Sequence, residues 1–253
     1  MGNVLTVEQL LLEGARLLRP SQMLVEGEPG SSPSGIWGGS GIVHPPAENW
    51  SHWVTVDCSW LQENGYDIRG CLSIYRVMPE GDDGDAVQPE WVALLNPDTA
   101  IPDDVADGVL LVGKEAPSFP PLEAVCLYGS TAVGDWLHSL GVSRQDCGDP
   151  AVYRSGMGDA YILEYMKHSP IYVAEEDAPP VDVVMGGWWH SVYLQSDYEH
   201  NGESFLLVTL RDAEPWVEVW MDVGGGLHVE VITSDSRAAR PNRHGGHFVL
   251  RYG

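Results

Sequence analysis

The sequence predicts an α+β fold, a mostly antiparallel β-sheet with a few helices. Short runs of β-branched, aromatic and aliphatic residues alternate with turn residues along most of the chain, which is typical of antiparallel strands. Only a few stretches show the spacing of an amphipathic helix. The last third of the chain predicts a C-terminal four-stranded β-meander, with strands at residues 204–210, 215–221, 226–232 and 247–252.

The hairpin around Gly224, Gly225 and Gly226 predicts which side chains share a face. A three-residue loop at these glycines places all the apolar side chains of both strands on one side, and a one-residue slip would mix the two sets. We expect the apolar side to pack on the body of the protein, and the other side to face outward or to line a groove. The apolar set is Val217, Val219, Met221, Leu227, Val229 and Val231, and the other set is Trp216, Glu218, Trp220, Asp222, His228 and Glu230.

Residues 6–19 predict the first element, an amphipathic helix. Thr6 and Gln9 have the spacing of a capping box, in which the threonine hydroxyl accepts from an early amide and the glutamine reaches back. Apolar residues then recur at helical spacing up to Pro20, which ends the pattern.

Residues 26–49 are rich in glycine, serine and proline and predict a surface loop or arm, with Trp37 as a candidate anchor. A phosphate-binding loop is excluded by chemistry. The stretch lacks a Gly-Lys-Ser/Thr sequence, and no lysine or arginine occurs between Pro20 and Ile68.

Strands and two helices complete the N-terminal region. One helix is predicted from Ser130 or Thr131 to Gly141, and a second from Asp159 to Pro170. Residues 174–180 resemble a connector, which divides the chain into an N-terminal α+β region (1–175) and a C-terminal antiparallel β region (182–253); the alternative is one continuous domain. The strands are predicted at residues 54–58, 71–77, 90–95, 108–113 and 123–128.

Length and composition limit the class of protein. A chain of 253 residues with 43% hydrophobic residues allows one large or two small globular domains. We expect a cytoplasmic protein, since no apolar run is long enough to span a membrane and the N-terminus has no secretory signal pattern. The four cysteines, Cys58, Cys71, Cys126 and Cys147, are not at metal-ligand spacing, and we expect buried, reduced thiols.

A formal net charge of −24 is the strongest global feature. Such a charge repels nucleic acids and anionic membranes and attracts a basic protein partner. Residues 77–113 contain nine acids and no base, whereas residues 236–253 contain four arginines and no acid. Solubility alone or adaptation to high salt are the alternative explanations of the acidity.

Four residues of the hairpin are candidates for catalysis: His228, Asp222, Glu218 and Glu230. With a three-residue loop, Asp222 lies directly opposite His228 and would raise the histidine pKa for acid–base work, with the two glutamates as paired carboxylates. The structural alternative is an exposed sheet face, where such cross-strand pairs are common.

The candidate binding residues combine aromatic and acidic side chains. Large aromatic residues on a polar face are typical of binding surfaces, although a helix or the loop at 26–49 is an alternative cover for them. No metal site is expected, since the acids near Gly84 lack calcium-loop spacing and His244 and His247 lack a third ligand. No cofactor is expected either. The binding candidates are Trp216, Trp220, Glu218, Glu230, Asp82, Asp83 and Asp85.

The stretches Trp216-Val-Glu-Val and Gly225-Gly-Leu-His-Val-Glu-Val-Ile232 resemble the paired strands of bacterial type III secretion chaperone-like domains. That resemblance covers about two strands and implies a small α+β module that binds other proteins without catalysis. The acidic, tryptophan-rich composition is also similar to that of bacterial immunity proteins, which neutralise basic toxins.

These observations favour a non-catalytic, acidic protein-binding module that neutralises or scaffolds a basic protein partner. The first alternative is a hydrolase that uses His228 with Asp222, Glu218 or Glu230. The second alternative is a structural subunit of a larger assembly. The sequence leaves the oligomeric state open.

Overall fold

The computed structural model contains an antiparallel sheet and several helices, which confirms the α+β class. It describes residues 5–28, 30–77, 90–102, 107–168, 183–188, 204–210, 216–222, 227–232 and 248–249. The helices are α1 (Val7–Arg16), α2 (Ser59–Glu63), α3 (Leu122–Tyr128), α4 (Thr131–Ser139), α5 (Pro150–Tyr153) and α6 (Gly156–His168), with a 3₁₀ helix at Arg144–Asp146. The strands are β1 (Ser21–Glu26), β2 (Gly35–Trp37), β3 (Ser51–Asp57), β4 (Cys71–Val77), β5 (Glu90–Asn96), β6 (Val109–Glu115), β7 (Val183–Gly186), β8 (Ser204–Leu210), β9 (Trp216–Asp222), β10 (Leu227–Ile232) and β11 (Phe248–Val249).

The strands form one sheet in the order β11-β10-β9-β8-β7-β1-β6-β2-β3-β4-β5. Strands β8 to β11 are neighbours in chain order, so the predicted C-terminal meander is confirmed. The sheet also curls, because β10 lies against β5 from the far end of the strand order. Its concave face is therefore an interior.

The interior face holds the main hydrophobic core. Leu24, Val54 and Ile74 from the first half of the chain pack in the same cluster as Val208 and Val219 from the second half. Helix α2 contributes Trp60 and Leu61 to this cluster. Folding therefore buries apolar side chains from both halves of the chain in one core. Burial of apolar surface is the main favourable contribution to the free energy of folding.

Helices cover the opposite face of the sheet. A second cluster joins α1, α3, α4 and α6 through residues such as Leu10, Val125 and Tyr161. A smaller cluster connects these helices to the sheet, where Ala124 of α3 and Leu17 pack with Trp220 of β9. The meander therefore has apolar contacts on both faces.

The first helix follows its sequence signals closely. Thr6 and Gln9 form the predicted capping box: the Gln9 amide donates to Thr6 Oγ1 at 3.3 Å, and the Thr6 amide donates to Gln9 Oε1 at 3.0 Å. The helix ends at Arg16, three residues before the predicted end. Gly141 has φ +76°, the left-handed conformation expected after α4.

The predicted strand at residues 123–128 is wrong, because the structure has helix α3 at Leu122–Tyr128. Pro120 and Pro121 precede the helix, and the Val125 amide donates to the Pro121 carbonyl in its first turn. Helix α3 is buried along most of its length, so its apolar run has no polar side to indicate a helical period.

The hairpin of β9 and β10 confirms the predicted sharing of faces but shifts the register. Met221 lies opposite Leu227 and Val219 opposite Val229, two residues away from the predicted pairing. The connection is still odd in length, so the predicted apolar side chains that the structure describes face the interior: Val217, Val219, Met221, Leu227 and Val229.

The segment at residues 26–49, predicted as a surface loop or arm, contains a strand of the sheet. Strand β2 pairs with β3 and β6. Its Trp37 side chain is partly buried and packs against the main hydrophobic core. The preceding strand β1, which the sequence analysis did not predict, lies at the centre of the sheet between β6 and β7.

One sheet spans both predicted regions of the chain. Strand β1 of the N-terminal region pairs with β7 of the C-terminal region, with Ser21 opposite Gly186. The predicted connector at 174–180 lies outside the described residues, and the division into two regions stays a prediction. All four cysteines are buried, and none of them is in a disulfide bond.

Gly14→Ala tests the packing of α1 on the other helices. An added Cβ would lie 2.5 Å from Tyr161 Oη and 2.7 Å from Phe119 Cζ. We expect a loss of about 1–3 kcal/mol in the free energy of unfolding, measured with urea, because overpacking displaces both rings.

Gly156→Ala is the matched control, since Gly156 begins α6 and nothing lies within 4 Å of its added Cβ. Here we expect a change between zero and a gain of about 1 kcal/mol, from helix propensity alone. Equal effects of the two substitutions would contradict the close contact at Gly14.

Candidate functional site

The structure buries the hairpin face that the sequence analysis expected to face outward or to line a groove. Trp220 and Glu218 are each only 1% exposed. Trp220 packs with Leu206, Trp188 and Ala124, beneath the helices. The expectation of an outward face is therefore wrong for these two side chains, because α3 and the residues after α1 cover that side of the meander.

Glu218 lies in a polar row across the meander. Trp220 Nε1 donates to Glu218 Oε2 at 3.1 Å. The backbone register places Thr209 of β8 opposite Glu218 on one side and Glu230 of β10 opposite it on the other. The sheet thus brings the predicted pair of glutamates to adjacent positions, with Glu218 removed from solvent.

The predicted acid–base pair of Asp222 and His228 does not lie at directly opposed positions. His228 is opposite Trp220, and Asp222 is opposite Ser204 of β8. The two-residue shift in register leaves the pair diagonal, where only long side chains reach each other. The side chains of Trp216, Asp222, His228 and Glu230 lie outside the described part of the structure, as do Asp82, Asp83 and Asp85 entirely.

Acidic side chains gather where α2 closes one end of the curled sheet. Strand β3 ends at Asp57, which lies opposite Cys71, and Cys71 lies opposite Asn96 at the end of β5. Trp60 Nε1 donates to Glu115 Oε1 at 2.8 Å and so ties α2 to β6. We call this surface the acidic end; it comprises Asp57, Glu63, Asp67, Asp98 and Glu115, with Arg69 and Lys114 as its bases among the described residues.

Three tryptophans and an arginine gather at the opposite end of the interior. The ring centroids of Trp37 and Trp53 are 5.2 Å apart, and those of Trp53 and Trp91 are 5.3 Å apart. Arg76 Cζ lies 5.3 Å from the Trp53 centroid and 5.6 Å from the Trp91 centroid. We call these four residues the tryptophan end.

The sequence analysis missed the tryptophan end because a β-bulge in β3 determines which face of the sheet Trp53 occupies. The register shifts between His52 and Val54 of β3, and this irregularity lets Trp53 pack on the interior core that Val54 also faces. Strict alternation would have sent the two side chains to opposite faces. The available signal was the position of Trp53 and Trp91 near the starts of two predicted strands, together with Trp37 as the candidate anchor of the loop at 26–49.

A buried hydrogen-bond chain lies on the outer face of β3 and β4. His52 Nδ1 is 2.6 Å from the Gly38 carbonyl, which only accepts, so Nδ1 carries the proton and Nε2 accepts from Thr55 Oγ1 at 2.8 Å. Ser73 then donates to Thr55 at 2.7 Å. Both hydroxyls are fully buried, so this chain holds the Gly38 segment in place and presents no accessible nucleophile.

The Gly38 segment is packed tightly onto that chain. Gly41 has φ +72°, and an added Cβ would lie 2.8 Å from His52 Cδ2. The Tyr75 hydroxyl donates to the Val43 carbonyl from the same side. Burial is the main reason that the pKa of His52 is lowered, so the neutral imidazole that this geometry needs is favoured.

Helix α3 contains a buried carboxyl group. Glu123 is 3% exposed and accepts a hydrogen bond from the Tyr153 hydroxyl. Burial raises the pKa of Glu123 to about 8. The carboxyl group is therefore mostly protonated at neutral pH, and it lies within the helical layer.

Comparisons with protein-family models and with curated proteins identify no relative of this chain. No protein-family model matches the chain, and no curated protein is significantly similar to it. Among the described residues, no three histidine, cysteine, aspartate or glutamate side chains are grouped to hold a metal ion. A search of the same residues finds no helix with the length and apolar character to cross a bilayer.

Glu123→Gln tests the buried carboxyl group through the pH dependence of stability. The folded-state pKa is raised above the ordinary value of 4.5, so the folded protein binds more protons between pH 4.5 and 8. Glu123 therefore costs stability progressively as the pH rises through that window, by about 1.4 kcal/mol per pKa unit. We expect the variant to be more stable than the wild type at pH 8, with the difference shrinking toward pH 5.

Glu63→Gln is the matched control, because Glu63 is exposed and the substitution removes the same formal charge. Urea unfolding at several pH values measures both variants. A pH-independent difference between Glu123→Gln and the wild type, or an equal effect of Glu63→Gln, would contradict a raised pKa at Glu123.

Proposed function

We propose that this protein is a non-catalytic, cytoplasmic binding module that engages a basic protein partner through its acidic surface. The observation that carries the proposal is the formal charge of −24 together with the exposure of the described acids. Exposed acids are Glu8, Glu26, Glu28, Glu48, Glu63, Asp67, Glu90, Asp98, Asp107, Glu115, Asp135, Asp146, Asp149 and Asp159; exposed bases are Arg16, Arg69, Lys114, Arg154 and Lys167.

Much of this negative charge is available to a partner. Among the described residues, the ion pairs Arg16–Glu13 and Lys167–Glu164 each join residues one turn apart on a helix, so neither pair neutralises an acid of another element. A surface of this kind speeds the association of a basic protein and selects against acidic ones.

The acidic end is the first candidate for the contact surface. Its carboxylates come from β3, α2, β6 and the segments that flank β4 and β5. Hydrogen bonds hold parts of this surface in place: Asp57 Oδ1 accepts from the Ser59 amide at 2.7 Å, and Glu115 is held by Trp60. Preorganised charges lose less entropy when a partner binds.

Asp82, Asp83 and Asp85 are the second candidate, in the connection between β4 and β5. That connection lies outside the described residues, and Glu90, the first described residue after it, is exposed. The burial of Trp220 and Glu218 argues against a direct contact between these two side chains and a partner.

A role like that of an immunity protein or a secretion chaperone, in a bacterial cell, is the specific form of this proposal. It is supported by the acidity and by the α+β fold with a meander. The hydrolase alternative is less well supported, because Asp222 and His228 do not lie directly opposite each other in the hairpin. The alternative of a structural subunit is favoured by the exposed apolar side chains Leu12, Leu163 and Met166 on α1 and α6.

The test is capture of a partner from the host lysate at low salt, followed by measurement of its dissociation constant with charge-neutralised variants. One variant combines Glu63→Gln, Asp67→Asn and Asp98→Asn; a second combines Asp82→Asn, Asp83→Asn and Asp85→Asn. We expect a basic partner, released by high salt, whose affinity falls about tenfold or more in one of these variants, since charged contacts also set the salt dependence.

The matched control combines Glu8→Gln, Asp135→Asn and Asp159→Asn, which removes the same charge from α1, α4 and α6. Its affinity is expected to stay within about twofold of the wild type, because only the general field changes. Absence of a basic partner would contradict the proposal. Equal losses in all three variants would contradict a defined contact surface.

A further inference from the structure

We propose that helix α6 is the contact surface for a second copy of this chain. In the dimer, the two α6 helices pack antiparallel around a two-fold axis at Leu163. This dimer does not depend on the acidic end or on a basic protein partner. The apolar exposure of α6, the order of charges along it and the charge of the rest of the chain support it.

Helix α6 has an apolar stripe on its outward side. Tyr161 and Tyr165 are buried in the helical layer, with exposed fractions of 0% and 2%. Leu163 lies midway between them in sequence, about 200° around the helix from each, and it is 57% exposed. Met166 follows one turn later and is 44% exposed. These two side chains therefore lie on the side of α6 that faces away from the helical core.

The charged residues of α6 are symmetric about Leu163. Asp159 lies four residues before it and Lys167 four residues after it, and both are exposed. In an antiparallel pair with its axis at Leu163, Asp159 of each copy lies opposite Lys167 of the other copy. A two-fold interface must be complementary to itself, and one acid and one base at equal distances from the axis meet that condition.

The same axis also matches the sizes of the side chains. It places Met166 of one copy opposite Ala160 of the other, so a long, flexible side chain lies over a small, partly exposed one. Leu163 meets Leu163 of the second copy at the centre. A small residue opposite a large one lets two helices approach to the usual axial distance of about 8–10 Å.

The charge of the whole chain favours α6 as the place of self-association. With a net charge of −24, most of the surface repels a second copy. Residues 154–168 are balanced instead, because Asp159 and Glu164 match Arg154 and Lys167 when histidine is counted as neutral. Lys167 Nζ lies 2.6 Å from Glu164 Oε1, yet the lysine side chain is still 64% exposed and accessible to a second copy.

Sedimentation equilibrium of the full chain over a range of concentrations tests the dimer. One helix pair buries less area than most stable interfaces, so we expect a dissociation constant of about 10–100 μM. Added salt is expected to strengthen the dimer. Screening reduces the repulsion between two acidic bodies more than it weakens two exposed ion pairs.

Leu163→Asp is expected to weaken the dimer about tenfold or more, because it places two carboxylates together at the axis. Leu12→Asp on α1 is the matched control, since Leu12 is 60% exposed. Gly14 of α1 lies against Tyr161 of α6, and Leu12 is on the opposite side of α1 from Gly14. The control is therefore expected to dimerise as the wild type does.

Asp159→Lys and Lys167→Asp test the antiparallel order of the helices. Each is expected to weaken the dimer about fivefold, because like charges then lie opposite each other twice in the interface. The double variant Asp159→Lys/Lys167→Asp keeps the net charge and re-forms both pairs with reversed sign, so it is expected to restore wild-type association. Circular dichroism checks the fold of each variant.

Leu163→Cys tests the position of the axis, because this residue lies next to its own copy. The chain's own cysteines are buried, so mild oxidation with glutathione disulfide is expected to link two chains at the new thiol. Leu12→Cys is expected to stay unlinked, as judged by electrophoresis without reductant.

A chain that stays monomeric at about 1 mM in high salt would overturn the proposal. So would equal effects of Leu163→Asp and Leu12→Asp, a double charge variant no better than the single ones, or the absence of a link through Leu163→Cys. These outcomes leave the basic-partner proposal unaffected, because the residues expected to contact that partner lie outside α6.

Discussion

The pairing of β1 with β7 is the constraint on which the rest of the structure depends. It joins strands of the first half of the chain, β2 to β6, to the meander of β8 to β11. Only this junction lets the sheet curl so that Val54 and Ile74 share a core with Val208 and Val219. Gly186 and Gly187, with φ +65° and +83°, turn the chain away immediately after that pairing.

Burial of the sheet on both faces explains which functional surfaces remain. The helices remove Trp220 and Glu218 from solvent, so a face that alternation marks as polar becomes an internal layer. Among the described residues, the accessible surface is therefore at the two ends of the curled sheet, at its connections and on the outer side of the helices. The two ends differ in chemistry: the acidic end carries five carboxylates, whereas the tryptophan end consists of three indoles and one guanidinium.

The sequence predicted those features that depend on local periodicity. The capping box of α1, the bounds of β4 and the sharing of faces between β9 and β10 all follow from spacing within a few residues. The features it missed depend on distant parts of the chain. Helix α3 is buried along most of its length, so its sequence lacks the polar side that marks a helical period, and β1 is central only because it pairs with β6 and β7.

The central position of β1 has a consequence for synthesis on the ribosome. Strand β1 emerges early, but its two neighbours begin only at Val109 and Val183, so its first sheet partner follows almost a hundred residues later and its second only in the last third of the chain. Such long sequence separations slow folding and prolong the exposure of apolar strand edges. The nascent protein is therefore expected to depend on protection by chaperones until β7 arrives, however stable the finished sheet is.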